Sequence, residues 1–301
     1  MRLMGMLSAL VVVLFLGSLV IGPAGIGPAE SLSALINGDG GPLTLVMREI
    51  RLPRALLAVM IGASLGLAGA AMQGYLRNPL AEPGLIGVSG SAAFGAVLAI
   101  HTGAAAAFAL ALPLTALLGA AVGVFVVMAL AGPGGTSLSL ILAGIAVSAL
   151  AAALSSLVLF LSSNPFAANE IVFWMMGSLA DRSMTHVWLA LPFMILGWLL
   201  LSRLGRGLDA LTLGEDAAQA MGVRLGRLRL GLISGVTCVV GAGTAVAGAI
   251  GFVGLVVPHI LRPLVGAHPS RLLWASALGG AAMVLAADIA ARMILPSRDL
   301  K

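Results

Sequence analysis

The sequence predicts an all-α, polytopic helical membrane protein, and three observations carry that reading. Of its 301 residues, 60% are hydrophobic and 9% are charged, against about 25% charged in a soluble domain. A mean hydropathy of +1.12 leaves too little polar surface to cover a soluble globule of this length. The apolar residues fall in runs close to the roughly 20 that a helix needs to cross a bilayer. They lack the period-two alternation of a membrane β-barrel. A soluble enzyme and a disordered chain are excluded, and the single Cys238 excludes a disulfide scaffold or a multi-cysteine metal site.

Nine spans follow in order along the chain. Residues 3–22 form the first, with no small-residue cleavage site to mark a signal peptide. Arg54 and Arg77 bracket the second. No Asp, Glu, Lys or Arg occurs between Glu82 and Glu170. Gly103 and the Gly132-Pro133-Gly134-Gly135 break divide that block into three helices. Residues 187–202 and 230–247 are the sixth and seventh spans. Residues 249–265 are the eighth, broken at Pro258, and residues 272–292 are the ninth. The spacings Gly62/Gly66, Gly119/Gly123 and Gly231/Gly235 let backbones approach closely. Packing within the chain is the simpler use for them than a dimer seam.

Charge sets the orientation. Arg203, Arg206, Arg224, Arg227 and Arg229 make residues 203–229 the longest polar stretch, which places that loop in the cytoplasm. Six helices precede it, so the N-terminus is cytoplasmic too. Arg77, Arg262 and Arg271 then fall inside. Arg48, Arg51, Arg54, Arg182 and Arg292 fall outside, against the rule. The charges are scattered singly, with no basic stripe for nucleic acid.

Missing chemistry narrows the function. A P-loop needs a lysine after its glycines, and the only lysine is Lys301. The chain therefore handles no ATP by that route. An ion-coupled transporter keeps an acidic or histidine relay at mid-membrane, whereas the uncharged block holds only His101. Asp288 lies four residues before Arg292, which predicts a local ion pair. No HExxH or GxSxG constellation occurs, so catalysis within the membrane has no group to use. A transport path with its energy source elsewhere fits these absences, and no cofactor or metal is called for.

Three stretches are specific: RLPRALLAVMIGASLGLAGAAMQGYLRNPLAEPGLIGVSGSAAFG from Arg51, LGEDAAQAMGVRLGRLR from Leu213, and GFVGLVVPHILRPLVGAHPSRLLWASALGGAAMVLAADIAAR from Gly251. Together, and in this order, they resemble the membrane permease subunits of ABC importers for ferric siderophores, haem and cobalamin. The resemblance covers nearly the whole chain and is weakest before about Arg48. It implies one permease domain over residues 1–301, ten helices per subunit and a second permease subunit, as a homodimer or close paralogue. It implies two cytoplasmic ATP-binding-cassette ATPase subunits and a periplasmic or surface-tethered substrate-binding protein. The setting is the inner membrane, with lipid around a multi-pass chain.

The resemblance also assigns roles to positions. Arg51, Arg54 and Arg292 match arginines that pair with glutamates of the binding protein. Guanidinium groups suit bidentate carboxylate contacts, and interfacial anchoring is their other use. Asn78-Pro79-Leu80 and Thr136-Ser137 match the inner gate, although Thr136 also suits a helix N-cap. Gly214, Glu215, Asp216, Ala217, Ala218, Met221 and Gly222 match the coupling helix that docks on the ATPase. Its acids sit at the positive helix end and Gly222 at the stop. His259 reads as structural, with no second metal ligand in view. Trp174-Met175-Met176 suits either the pathway mouth or interfacial anchoring. Similar permeases continue with one more apolar helix after a segment like ILPSRDL, so this chain is expected to stop one helix short. The expected function is inward translocation of a metal chelate, ferric siderophore first. An ion-coupled secondary transporter and a truncated, non-transporting paralogue are the competing classes.

Overall fold

A computed structural model describes residues 2–22, 26–38, 40–108, 110–132, 136–162 and 164–294. Gly134 and Gly135 of the expected gate approach, and the ILPSRDL segment beyond Ile294, lie outside them. Among the described residues all regular structure is helical.

Helix α1 (Arg2–Val20) is followed by the short α2 (Pro28–Asn37) and α3 (Pro42–Leu45). A π-helical turn, Val46–Arg51, carries α3 into the long α4 (Leu52–Leu76). Next come α5 (Val88–His101), α6 (Ala104–Ala107), α7 (Ala111–Ala131), α8 (Ser137–Leu161), α9 (Pro165–Met175) and α10 (Met184–Ser202). Two short helices, α11 (Gly205–Leu211) and α12 (Glu215–Ala220), precede α13 (Leu225–Ala247), α14 (Val253–Leu261) and α15 (Pro269–Ile294). Among the described residues, seven segments are long and apolar enough to cross a membrane: α1, Pro42–Leu76, α7, α8, α10, α13 and α15.

The other two expected spans are the short α5 and α14, and each has a physical reason for its length. Helix α4 ends where Arg77 turns left-handed at φ 50°. The chain then climbs back beside α4, because a Cβ on Gly254 would meet Pro83, and one on Gly69 would meet the backbone of Gly254. Gly69 stands seven residues before Leu76, about 10 Å along the axis at 1.5 Å per residue. The fourteen residues of α5 run about 21 Å, short of the bilayer core on their own. Helix α14 starts at the same depth as Pro83. The break in the eighth segment therefore falls earlier than Pro258: Gly248 and Phe252, at φ 74° and 66°, turn the chain. Pro258 stays inside α14, just past the first turn, where it forfeits a single ladder bond.

Helix α4 is the centre of the molecule, buried along most of its length. Its Gly62 and Gly66 lie against Gly280 and Ser276 of α15, so closely that a Cβ on either would overlap a carbonyl. Gly119 and Gly123 of α7 meet Ser91 and Gly95 of α5, while Gly231 and Gly235 of α13 meet Leu204 and Leu201. All three small-residue spacings thus pack within the chain, as close backbone approach in lipid favours. By contrast α1, α7 and α8 are mostly exposed along their apolar faces, which suits a lipid environment.

Candidate functional site

At one end of the helices lie the arginines singled out for docking. Arg51, in the π-helical turn, is only 5% exposed. Its Nη1 donates to the carbonyls of Leu19 and Val20, both at 2.9 Å. Those are last-turn carbonyls of α1 that no intrahelical N–H reaches. Arg292, 6% exposed, donates from Nη1 to the carbonyls of Ser18 and Ile21 and from Nη2 to the Ser18 hydroxyl at 2.6 Å. The expected pair with Asp288 is present at 2.9 Å. Arg54 donates from Nε to the other Asp288 oxygen at 2.8 Å, and its side chain is 14% exposed. The three arginines therefore come together as a clasp that binds the C-terminal end of α1 to α4 and α15. Two guanidiniums pair with one carboxylate and Arg51 binds only carbonyls, so the three arginines with Asp288 keep surplus positive charge. Near it, the exposed Arg48 caps α2 through the carbonyls of Leu35 and Ile36.

The gate and coupling positions gather at the opposite end. Asn78 closes an Asx-turn, its Oδ1 accepting from the Leu80 N–H at 2.9 Å. Asn78, Pro79 and Leu80 are all exposed. Thr136 is the N-cap of α8: its hydroxyl accepts from the Ser139 N–H at 3.2 Å. Ser137 begins the helix.

Helix α12 is a short exposed platform. Gly214 starts it at φ 104°, and Gly222 leaves it at φ 86°. The Gly222 N–H donates to the Gln219 carbonyl at 2.8 Å and the Val223 N–H to the Ala218 carbonyl at 3.0 Å, a Schellman stop. Ala218 is buried underneath, while Glu215, Asp216, Gln219, Ala220 and Met221 face outward. The two acids lie in the first turn, where the helix dipole favours them.

Several residues at this site escape a reading of the sequence alone. Gln73, fully buried in α4, donates to the Leu255 carbonyl at 3.1 Å and accepts from Arg262 at 2.7 Å, fastening α14 to α4. Asp209 of α11 accepts from the Ser270 N–H at 2.9 Å and caps the start of α15. Glu82 accepts from the Phe252 N–H at 3.0 Å and so joins the two inserted segments. A cavity of about 130 Å³ lies beside it, lined in part by Leu65, Ser89, Ile250 and Gly251. The one available signal was a polar side chain standing alone in an apolar stretch.

The arrangement has an exposed helical platform, a non-helical insertion at depth and no catalytic constellation among the described residues. No group of three metal-ligating side chains is found among them either. The comparisons decide what such an arrangement is. The FecCD transport family matches residues 10–301.

The chain belongs to the FecCD transport family.

It is 38% identical over 276 residues to the uncharacterised ABC transporter permease protein YvrB of Bacillus subtilis, covering 90% of this chain and 78% of that one. It is 38% identical over 296 residues to the vitamin B12 import system permease protein BtuC of Klebsiella pneumoniae, covering 98% and 86%. A solved structure described as an inward-facing conformation of a metal-chelate type ABC transporter superposes with a TM-score of 0.85 at 33% identity, over 98% of this chain and 91% of that one. As a FecCD permease the chain is the membrane subunit of an ABC importer and not itself an enzyme. Membership implies ATPase subunits, a substrate-binding protein and a second permease subunit.

Proposed function

We propose that this FecCD permease moves a metal chelate, ferric siderophore foremost, from a periplasmic binding protein into the cytoplasm. Two cytoplasmic ATPase subunits supply the energy, and a second copy of the chain completes the pathway. The observation that carries the reading is the exposed, glycine-bounded helix α12, joined through α11 to the end of the molecule where α4 stops. Gly214, Glu215, Asp216, Ala217, Ala218, Met221 and Gly222 are the coupling helix. Asn78, Pro79, Leu80, Thr136 and Ser137 are the inner gate at that end. Short side chains at the gate narrow a path without holding cargo. Arg77, Arg203, Arg206, Arg224, Arg227, Arg229, Arg262 and Arg271 favour a cytoplasmic setting for this end and for the N-terminus.

Arg51, Arg54 and Arg292 receive the binding protein at the other end. Their burial supports a divided role: Arg54 offers the accessible edge, and Arg51 and Arg292 set the shape and the positive field behind it. The chelate follows from similarity to a metal-chelate type transporter, and cobalamin, from similarity to BtuC, is the second reading. Uptake of radiolabelled ferric siderophore, haem and cobalamin by cells expressing the operon tests the choice. Siderophore uptake that disappears on deletion of this permease is the expected result. Loss of cobalamin uptake alone overturns it.

A further inference from the structure

Residues 248–252 join α13 to α14 without forming a helix. Their depth can be read against α4. A Cβ on Gly254 would meet the Leu65 carbonyl, and one on Gly69 would meet the Gly254 carbonyl. Leu65 and Gly69 stand eleven and seven residues before Leu76, where α4 ends, about 16 Å and 10 Å along the axis. In a hydrocarbon core about 30 Å thick, that level is close to the middle. Gly251 and Leu65 line the same 130 Å³ cavity as Glu82.

Ala249, Gly251 and Phe252 are exposed at this level. The N–H groups of Ala249, Ile250 and Gly251 meet no acceptor among the described residues. Acyl chains offer none either, so exposed non-helical backbone at depth survives only against water or protein. A carboxylate points the same way, because acids inside a membrane face a water-filled cavity or the protein interior. Glu82 is only partly covered. This face therefore suits water rather than lipid.

Phe252 is held there in an uncommon state. Its φ is 66°, a region that bulky side chains rarely adopt. Such outliers persist where the surroundings impose them, and they gather at ligand clamps and other functional sites. Glu82 Oε1 accepts from the Phe252 N–H at 3.0 Å, while Gly254 is packed against α4 two residues on. The turn is thus fixed on both sides, and the ring is left 70% exposed.

We propose that Phe252 presents its ring to the cargo at mid-depth in a water-filled path, and that Glu82 is the positioning residue that holds it there. An aromatic face gives the organic shell of a chelate apolar contact, and the ring itself carries no charge to trap it. The cargo rests on the transport reading above; the contact with water does not.

The test uses single cysteines in a Cys238→Ala background: Ala249→Cys, Phe252→Cys and, as a lipid-facing control, Val13→Cys in α1, where Val13 is 65% exposed. The transporter assembled with its ATPase subunits in nanodiscs is treated with a charged, membrane-impermeant methanethiosulfonate. The reagent needs the thiolate, which water supports and hydrocarbon does not, so labelling at 249 and 252 is expected to be at least about 10-fold faster than at 13. Rates no faster than the control overturn the proposal, because lipid or protein then covers this face. Glu82→Ala is expected to slow labelling of Phe252→Cys about 2- to 10-fold, the worth of one hydrogen bond, and Glu82→Gln to restore it. Equal rates in all three remove Glu82 from the positioning role. In proteoliposomes, labelled Phe252→Cys is expected to lose ATP-driven uptake of ferric siderophore while labelled Val13→Cys keeps it. Undiminished uptake overturns the contact with cargo. If the unlabelled transporter takes up no ferric siderophore, the chelate reading fails, and the labelling rates still decide the contact with water.

Discussion

Asp288 is held by two arginines, and the cost of removing each differs. Arg54 gives it one hydrogen-bonded ion pair, whereas Arg292 also holds the Ser18 and Ile21 carbonyls and the Ser18 hydroxyl. Arg292→Gln is therefore expected to cost about 3–5 kcal/mol, the scale for breaking a buried pair. Arg54→Gln leaves the Asp288–Arg292 pair standing and is expected to cost about 1–2 kcal/mol. Denaturation of the purified permease in detergent measures both, and equal losses would refute the clasp. Glu82 allows a finer comparison. Glu82→Ala takes the acceptor from the exposed Phe252 N–H, at about 0.5–1.5 kcal/mol. Glu82→Gln keeps an acceptor oxygen and is expected to retain most of that stability. A glutamine variant as unstable as the alanine one counts against the bond. Here the sequence was only partly legible: spacing on one helix predicts the Asp288–Arg292 pair, but no spacing reveals that Arg51 reaches Leu19 or that Glu82 reaches Phe252.

At the scale of the element, long helices are written in composition and short ones in context. The uncharged run between Glu82 and Glu170 holds the three expected helices because Gly103 and the glycine-rich break after Ala131 interrupt it. Helix α14 is harder to read. Its nine residues are too few to cross a bilayer alone, and the non-helical backbone before it is of the kind tolerated at depth only where protein or a cavity meets it. Pro258 misleads for a related reason, since a proline near a helix start does little harm. The α12 stop is legible down to its glycine, because φ 86° at Gly222 is a conformation that other residues adopt at a cost of roughly 1–2 kcal/mol. Gly222→Pro demands φ near −65° and also deletes the N–H that reaches Gln219. It is expected to misplace α12 and to leave ATP hydrolysis by the assembled transporter indifferent to substrate-loaded binding protein, while the long helices still assemble. Normal stimulation of hydrolysis in this variant removes α12 from the coupling role.

At the scale of the whole molecule, the distribution of charge decides between energy sources. Lys301 is the only lysine and has no glycine loop before it, so the chain binds no nucleotide through a P-loop. A gradient-driven carrier needs a buried acid that gains and loses a proton during its cycle. Among the described residues, the buried carboxylate is that of Asp288, and two arginines pair with it. Both pairs tie it to partners on packed helices, which makes it a poor relay. Glu82 is committed to the Phe252 N–H. Energy must then come from the ATPase subunits that membership in the FecCD family implies, and the exposed face of α12 is the proposed point of entry. Proteoliposomes containing the permease, its ATPase subunits and enclosed ATP are expected to accumulate chelate delivered by the binding protein. Omitting ATP or the ATPase subunits is expected to abolish accumulation, and an ionophore that collapses proton and sodium gradients is expected to leave it unchanged. Accumulation that survives without the ATPase and falls with the ionophore would establish the gradient-driven class, because no arrangement of α12 could then be the entry point of energy.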